Sequence, residues 1–443
     1  MQRVCLSVFI ILCNKLESEG ILAPIQTVQG MHGNLLWKKQ LLPNGLRVLS
    51  YPKPSSLTAQ IAVAIEYGAN DDPDEYSGAA HFLEHMVPGG SKQRIKTSRE
   101  FERLGGVSDF FTNPEYTMSI VDVIPSKLVE AANNLLPLLF EGSFEEEQFR
   151  VERKIIFHEL SEVADDPHEK VNEMLRQCLF RKHPMRRSVG GSKKTVRALS
   201  LPTLSDIYRR WYTPQNAIII LSGNFSEKDF DSMFHDFSWN RIKEAQRKER
   251  SSPEVDPQKR TISKKKAGLA LTYLSMGART THSSNPDVAA LDLLNVILGV
   301  GASSRLFIEL REKRALTYSI GSSQTDGLDF GYLSIDCALK EKHYQKAERL
   351  ILKQISRLQN ETIPNSELTK GKDMILGDIF RGIDDGETRP EILAIMEMQF
   401  GSETALVDYV NRVKEVKADN VRDAANKYLQ ESQFATAVLS PKT

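Results

Sequence analysis

The second half of this chain repeats the pattern of the first half. Residues 60–86 run as an apolar strand-like segment, a glycine, a polar loop and an apolar helix, and residues 268–299 follow the same order. Such a repeat is typical of an internally duplicated chain and argues against two unrelated domains. The chain has 443 residues, more than one hydrophobic core usually organises. We therefore expect two similar domains.

The helix of the first copy contains the motif HFLEH, from His81 to His85. Residues i and i+4 lie on one helix face, so His81 and His85 can hold one metal ion, and Glu84 shares that face. A hydrolytic zinc site needs imidazole nitrogens, a carboxylate and an open position for water, and a further carboxylate can take the proton of that water. His-x-x-Glu-His is the inverzincin signature. The alternative for so short a motif is a structural histidine pair.

A third ligand is expected in residues 144–167, which have the apolar periodicity of a helix with one buried side. Glu152 and Glu159 lie seven residues apart in this segment, on one helix face. His158 and Glu162 are alternative ligands, although His158 points about 100° away from Glu159. For Glu152, the alternative is a solvated charge on the outside of the helix.

This set of residues resembles the pitrilysin-like (M16) zinc peptidases, most closely the branch (M16B) with the mitochondrial processing peptidase β subunit and related prokaryotic proteins. The resemblance extends over nearly all of residues 35–443. It implies an α+β fold with two homologous domains of the LuxS/MPP-like type, each a mainly antiparallel sheet with helices packed on it. It also implies one Zn2+ per chain and the roles of five residues: His81, His85 and Glu159 as metal ligands, Glu84 as general base, and Glu152 as a support for the site.

The second half of the chain carries another segment that resembles this family. Arg311 and Tyr318, seven residues apart, resemble the arginine and tyrosine with which this family reaches across to the zinc site. An arginine can hold a substrate carbonyl or carboxylate, and a tyrosine hydroxyl can donate to the developing oxyanion. The alternative is a surface arginine and a core tyrosine. Leu291, Leu294 and Asn295 fall where the metal motif stands in the first copy, so this half is not expected to bind metal.

Residues 106–124 are rich in β-branched and aromatic side chains and are predicted to form a strand. In the resembling family this strand is a sheet edge beside the zinc, to which the substrate peptide adds as an extra strand. The alternative is an ordinary core strand. Asp109 and Phe110 stand where the family usually has asparagine and a small residue, so the cleft is expected to have a different shape.

The predicted domain organisation has four parts: an extension of uncertain order at 1–34, a catalytic zinc-binding domain at 35–235, a charged linker at 236–266, and a homologous domain without metal at 267–443 that completes the active site. The linker is predicted from its many charges and few apolar residues. We further hypothesise that residues 1–30 precede the natural start at Met31, because their short apolar run makes a poor signal peptide.

Composition excludes several classes of function. The 58 basic and 58 acidic residues cancel, so nothing indicates nucleic-acid binding, and no apolar run approaches the ~18 residues of a membrane span. The four cysteines form no C-x-x-C pair, which argues against a disulfide scaffold or a thiolate metal site. We expect a cytoplasmic protein, with an N-terminal signal or transit segment as the alternative.

The expected function is that of a zinc metalloendopeptidase that hydrolyses unfolded or extended peptides, as a homodimer or as a heterodimer with a second M16-like subunit. The alternative is a non-catalytic or partner-dependent M16 subunit in a heteromeric processing or assembly complex. A purely structural zinc site is a weaker alternative, because structural zinc usually has four protein ligands.

Overall fold

The computed structural model describes residues 35–234 and 260–442. The predicted extension at 1–34, the proposed start at Met31 and most of the predicted linker lie outside these residues. The strands are β1 Lys38–Leu41, β2 Arg47–Pro52, β3 Ala59–Ile65, β4 Val107–Thr112, β5 Thr117–Val123, β6 Ala217–Gly223, β7 Thr261–Lys266, β8 Thr272–Arg279, β9 Thr317–Asp326, β10 Gly331–Leu339 and β11 Ala435–Pro441.

Helices connect and cover these strands. They are α1 Ala79–Met86, α2 Gly90–Arg103, α3 Leu128–Phe140, α4 Glu146–Asp165, α5 Pro167–Leu179, α6 Lys193–Ala198, α7 Leu201–Trp211, α8 Glu227–Phe234, α9 Val288–Gly299, α10 Tyr344–Asn360, α11 Asn365–Asp384, α12 Arg389–Phe400, α13 Ala405–Glu415 and α14 Ala418–Tyr428, with a π-helix at Phe307–Glu312. Of the helices in the described residues, none is long and apolar enough to cross a membrane.

Two mixed, largely antiparallel sheets have the same design. The first has the strand order β1-β2-β6-β3-β5-β4, and the second has the order β7-β11-β8-β10-β9. The parallel pair β2–β6 corresponds to the parallel pair β7–β11, and the other neighbours are antiparallel in both sheets. The predicted α+β class with two homologous domains is therefore confirmed.

Each half has its own hydrophobic core. In the first half, the buried side of the sheet packs with Phe82, Leu83 and Met86 of α1 against α3, α4 and α7. In the second half, α9 takes the place of α1 and is buried on nearly every side. This difference explains why the hydrophobicity of α9 is continuous whereas α1 keeps a polar face.

The two halves also exchange a helix. Helix α5 of the first half packs on β8 and β11 of the second sheet, and α12 of the second half packs on β3 and β6 of the first sheet. Helix α5 follows the 20-residue helix α4 along the chain, and α12 follows the 20-residue helix α11. The exchange buries apolar surface between the halves and so holds them together.

Two sequence predictions need correction. Residues 106–124 form the hairpin β4–β5 instead of one strand, because Asn113 and Pro114 make a turn between them. Residues 261–266, predicted as the end of the linker, form strand β7. Within residues 35–234 and 260–442, this strand lies at a sheet edge and pairs only with β11. Its lysines therefore reach solvent, and it needs little apolar character.

Candidate metal centre

Helix α1 begins at a backbone position that only glycine adopts easily. Gly78 has φ +98°, and a Cβ there would lie 2.5 Å from the carbonyl oxygen of Gly190. The loop of residues 188–191 can therefore approach the start of the helix closely. This contact fixes where the helix enters the site.

Asp72 caps the same helix from a preceding loop. Its carboxylate accepts hydrogen bonds from the backbone N–H of Gly78 at 2.7 Å, the N–H of Ala80 at 3.0 Å and the hydroxyl of Tyr67 at 2.6 Å. Burial raises the pKa of the Asp72 carboxyl to about 7, although these three hydrogen bonds act in the opposite direction. Arg187 donates to the backbone carbonyl of Asp72 and so fixes the loop. The cap satisfies donors that a helix start leaves free.

The structure brings the three predicted metal ligands together. One ligand atom from each of His81, His85 and Glu159 lies within 4.8 Å of the others. The Nε2 atoms of His81 and His85 are 3.7 and 3.3 Å from Oε2 of Glu159. Ligands about 2.0–2.2 Å from a tetrahedral zinc lie roughly 3.3–3.6 Å apart. Two imidazoles and one carboxylate at these separations fit Zn2+ with one coordination position left for water.

The competing ligands do not join this group. Within the described residues, His81, His85 and Glu159 are the one group of histidine, cysteine and acidic side chains near enough to share an ion. His158 is exposed on another side of α4, as its angular offset from Glu159 predicts. Glu162 faces the same cavity without joining the group.

Glu152 is buried behind His85. Its Oε2 lies 3.1 Å from Nδ1 of His85, and the residue is 1% exposed. A hydrogen bond from Nδ1–H to this carboxylate leaves Nε2 as the atom that can bind a metal. The alternative of a solvated charge on the helix surface is therefore wrong.

Glu84 lies beside the ligand group without being part of it. Its Oε2 is 4.0 Å from Nε2 of His81 and accepts a hydrogen bond of 2.9 Å from the hydroxyl of Thr112. Thr112 ends strand β4. A carboxylate at this place can accept a proton from a water molecule held between the ligands and the substrate.

A cavity of about 640 Å³ opens over these groups. His81, Glu84 and Glu159 form its polar floor. The hairpin β4–β5 contributes Phe110 and Phe111 to the wall. The aromatic side chain of Phe110 therefore shapes the cleft, at a position where the resembling family usually has a small residue.

The second half reaches the cavity with different residues from those predicted. Thr325 of β9 and Tyr332 of β10 line the wall, whereas Arg311 and Tyr318 do not. Tyr318 stands seven residues before Thr325 on β9, a distance of roughly 23 Å along an extended strand. It is 78% exposed, and Arg311 stacks on Phe307. The predicted reach of Arg311 and Tyr318 is thus not seen within one chain. Tyr318 lies at the end of β9 far from Thr325, and Arg311 lies in the π-helix that precedes this strand.

Sequence reasoning also missed Asp72, Arg187 and Thr112. Asp72 belongs to an acidic run before the metal helix, which was the only available signal, and nothing marks the capping member of such a run. Thr112 and Arg187 act through contacts with residues far away in sequence. The spacing of residues along the chain does not predict contacts between residues that are distant in sequence.

Comparison with known proteins agrees with this geometry. Residues 47–193 match the sequence model described as insulinase (peptidase family M16), and residues 198–375 match the peptidase M16 inactive domain. An uncharacterized zinc protease of Mycobacterium tuberculosis is 26% identical over 91% of this chain and 93% of its own. A probable mitochondrial-processing peptidase subunit beta of Arabidopsis thaliana is 24% identical over 90% of this chain and 77% of its own.

A solved structure has the same fold. The crystal structure of a protease from Helicobacter pylori superposes with a TM-score of 0.84 at 22% identity, covering 91% of this chain and 99% of that one. The fold therefore extends over almost the whole length of both proteins.

Proposed function

Because this chain belongs to the M16 family of peptidases, we propose that it is a zinc-dependent endopeptidase that hydrolyses unfolded or extended peptides. The observation that carries the proposal is the arrangement of His81, His85 and Glu159 within 4.8 Å, with Glu84 beside them and outside the group. A structural metal site has no use for such a carboxylate, and a hydrolytic site requires one.

Each side chain of the proposed site has a separate role in the reaction. His81, His85 and Glu159 would hold the ion, which when bound lowers the pKa of water and polarises a carbonyl group. Glu84 accepts the proton of the attacking water and returns it to the nitrogen of the leaving amine. Glu152 keeps Nε2 of His85 directed toward Glu159.

The substrate is proposed to add to strand β4. Among the described residues, this strand ends the order of the first sheet and has β5 as its one neighbour there, so its outer edge can pair with an extended peptide. Pairing through the backbone accepts many sequences but requires an unfolded segment. The cavity beside β4 contains Phe110 and Phe111, which favours apolar side chains near the scissile bond.

We further propose that Arg311 and Tyr318 act on a second chain. Both are exposed and distant from the cavity of their own chain, yet their chemistry suits the stabilisation of an oxyanion. A homodimer in which each chain lends these residues to its partner would complete two sites. A heterodimer with a second M16-like subunit is the alternative form of the same proposal.

A second candidate function is that of a partner-dependent or non-catalytic subunit. The match of residues 198–375 to a domain described as inactive, and the similarity to a protein described as a subunit, favour it. We further propose a cytoplasmic location for the protein.

The deciding experiment is hydrolysis of a quenched fluorescent unfolded peptide by the purified protein and by Glu84→Gln. We expect chelator-sensitive cleavage in the wild type and a loss of roughly 10²–10⁴-fold in Glu84→Gln, with the zinc content of the variant unchanged by elemental analysis. Glu162→Gln, which changes another carboxylate of the same cavity, should retain activity.

Two outcomes would contradict the proposal. Turnover retained in Glu84→Gln would refute the role of that residue. A wild-type protein that binds zinc stoichiometrically but cleaves nothing would favour the partner-dependent subunit.

A further inference from the structure

The hydroxyl of Thr112 donates a hydrogen bond to the carboxylate of Glu84, with 2.9 Å between Oγ1 and Oε2. A hydrogen bond to one oxygen fixes the plane and the rotamer of a glutamate side chain. Rotational freedom of this group would cost catalysis, because a displacement of about 1 Å at a reacting group can cost 10²-fold in rate. The position of Thr112 therefore matters to the reaction, and that position depends on the turn that follows it.

This turn, Asn113–Tyr116, is held by the second half of the molecule. Oε1 of Glu391 on α12 accepts hydrogen bonds from Nδ2 of Asn113 at 3.1 Å and from the hydroxyl of Tyr116 at 2.5 Å. Tyr116 is 6% exposed, and burial together with the nearby charge of Glu391 raises its pKa. The phenol therefore remains a donor at physiological pH.

A second contact holds the same turn. Oε1 of Glu115 accepts a hydrogen bond of 2.9 Å from the backbone N–H of Leu328, in the turn between β9 and β10. The turns of the two equivalent hairpins, β4–β5 and β9–β10, therefore meet at the rim of the cavity.

Helix α12 is itself fixed on the first sheet. Arg389 is 2% exposed, and its guanidinium approaches Oε1 of Gln60 on β3 at 3.5 Å. It also donates to the carbonyl of Ile383 on the preceding helix α11 at 2.7 Å. Near the other end of the helix, Glu397 pairs with Lys39 at 2.6 Å. Glu391 thus lies on a helix that contacts the first sheet near both of its ends, so its position relative to the hairpin β4–β5 is well defined.

We propose that Thr112 is a positioning residue for Glu84, and that Glu391 keeps it in place through the turn Asn113–Tyr116. Through Glu391, the second half of the chain then contributes to catalysis within its own chain by holding the hairpin β4–β5. This inference rests on the proposed function, since it assigns the partner of the proposed base.

The first test compares Thr112→Val, which removes the hydroxyl at constant volume, with Thr112→Ser, which keeps it. We expect Thr112→Val to lower kcat roughly 10–100-fold while KM and zinc content stay at wild-type values. Thr112→Ser should restore most of kcat, which a purely structural role would not explain. A kcat of Thr112→Val equal to that of the wild type, or a crystal structure of this variant with Glu84 unmoved, would overturn the role of Thr112.

The second test uses Glu391→Leu, with Glu387→Leu, an exposed residue just before the same helix, as the matched control. Glu391→Leu should lower kcat and increase hydrogen–deuterium exchange in residues 107–117, and the control should change neither. Unchanged exchange and kcat in Glu391→Leu would overturn the role of α12. If the wild type cleaves no peptide, the proposed function fails, while hydrogen exchange and the position of Glu84 still decide this inference.

Discussion

Glu152 is a buried carboxylate that contacts His85 on the side away from the candidate metal centre. It is 1% exposed and 3.1 Å from Nδ1 of His85, so it orients the ring and makes Nε2 the more basic atom. A carboxylate buried to this degree requires charged or polar partners to offset its desolvation. We therefore propose that Glu152 supports His85 as a metal ligand.

We predict that Glu152→Ala lowers zinc affinity by roughly 10–100-fold, because outer carboxylates of metal-bound histidines typically contribute this much. Glu152→Gln should cost less, since its amide oxygen can still accept from Nδ1–H. Competition with a zinc chelator measures both, and Glu162→Gln on the same helix serves as the control. Wild-type affinity in a folded Glu152→Ala protein would contradict the prediction.

The two equivalent helices α1 and α9 differ in what they bury. Helix α1 directs His81 and Glu84 into the cavity, whereas Leu291 and Leu294 of α9 are completely buried. Asn295 of α9 accepts a hydrogen bond of 2.6 Å from Ser322 of β9. The second helix is a core element, and it presents no metal-ligating side chain at the positions equivalent to His81 and His85.

Helix α9 also carries a buried carboxyl beside another one on β9. Burial raises the pKa of Asp292 to about 6, although the hydroxyl of Tyr409 and the charge of Arg412 lower it. Burial, together with the charge of Asp292, raises the pKa of Asp326 to about 7. Both carboxyls thus hold a proton in the folded protein at a pH where the unfolded chain has released it.

This arrangement predicts the pH dependence of stability. Between about pH 4 and pH 7 the folded state binds more protons than the unfolded state, so the free energy of unfolding falls as pH rises. For Asp326 the fall can reach about 4 kcal/mol, since each pKa unit corresponds to about 1.4 kcal/mol. Denaturant unfolding at pH 5 and pH 8 should show a smaller fall in Asp326→Asn than in the wild type.

The control for this experiment is Asp373→Asn, an exposed aspartate on α11, which should retain the wild-type pH profile. Equal pH profiles for Asp326→Asn and the wild type would show that Asp326 does not titrate in this range.

At the scale of the whole molecule, the exchange of α5 and α12 makes the two halves one structural unit. The cavity wall is built from both halves, with Thr325 and Tyr332 facing Phe110 and Phe111. Arg311 and Tyr318 remain outside it. One chain therefore presents the candidate metal centre and, outside its cavity, the two exposed residues that we propose act in the site of another chain.

We predict that two inactive variants restore activity when combined. One chain carries Glu84→Gln, and the other carries Arg311→Ala with Tyr318→Phe. In a mixed dimer, one of the two sites has an intact base and intact residues from the partner. Random one-to-one assembly by co-expression should therefore yield about a quarter of the wild-type rate.

The control combines Glu84→Gln with a chain that carries all three substitutions, a mixture that contains no intact site and should stay inactive. No gain in activity despite the formation of mixed dimers would show that Arg311 and Tyr318 do not act in this way.

The amino-acid sequence alone predicted the duplicated α+β fold and the residues of the candidate metal centre. Local periodicity pairs His81 with His85 and Glu152 with Glu159, because residues four or seven apart share a helix face. The α+β fold, and the meeting of the two helices with Glu159 as third ligand and Glu152 as its support, were implied by the resemblance to the M16 peptidases. These pairs were predictable before any tertiary contact was known. The missing metal motif of α9 was equally visible.

Only the tertiary structure decided which distant residues complete the site. The contacts of Thr112 with Glu84 and of Glu391 with Tyr116 join residues 28 and 275 positions apart, and no periodicity encodes such pairs. The direction of β9, which takes Tyr318 away from the cavity and brings Thr325 to it, follows from sheet pairing. Helix faces are set by bonds along the chain, whereas the cavity is set by packing between halves that fold onto each other.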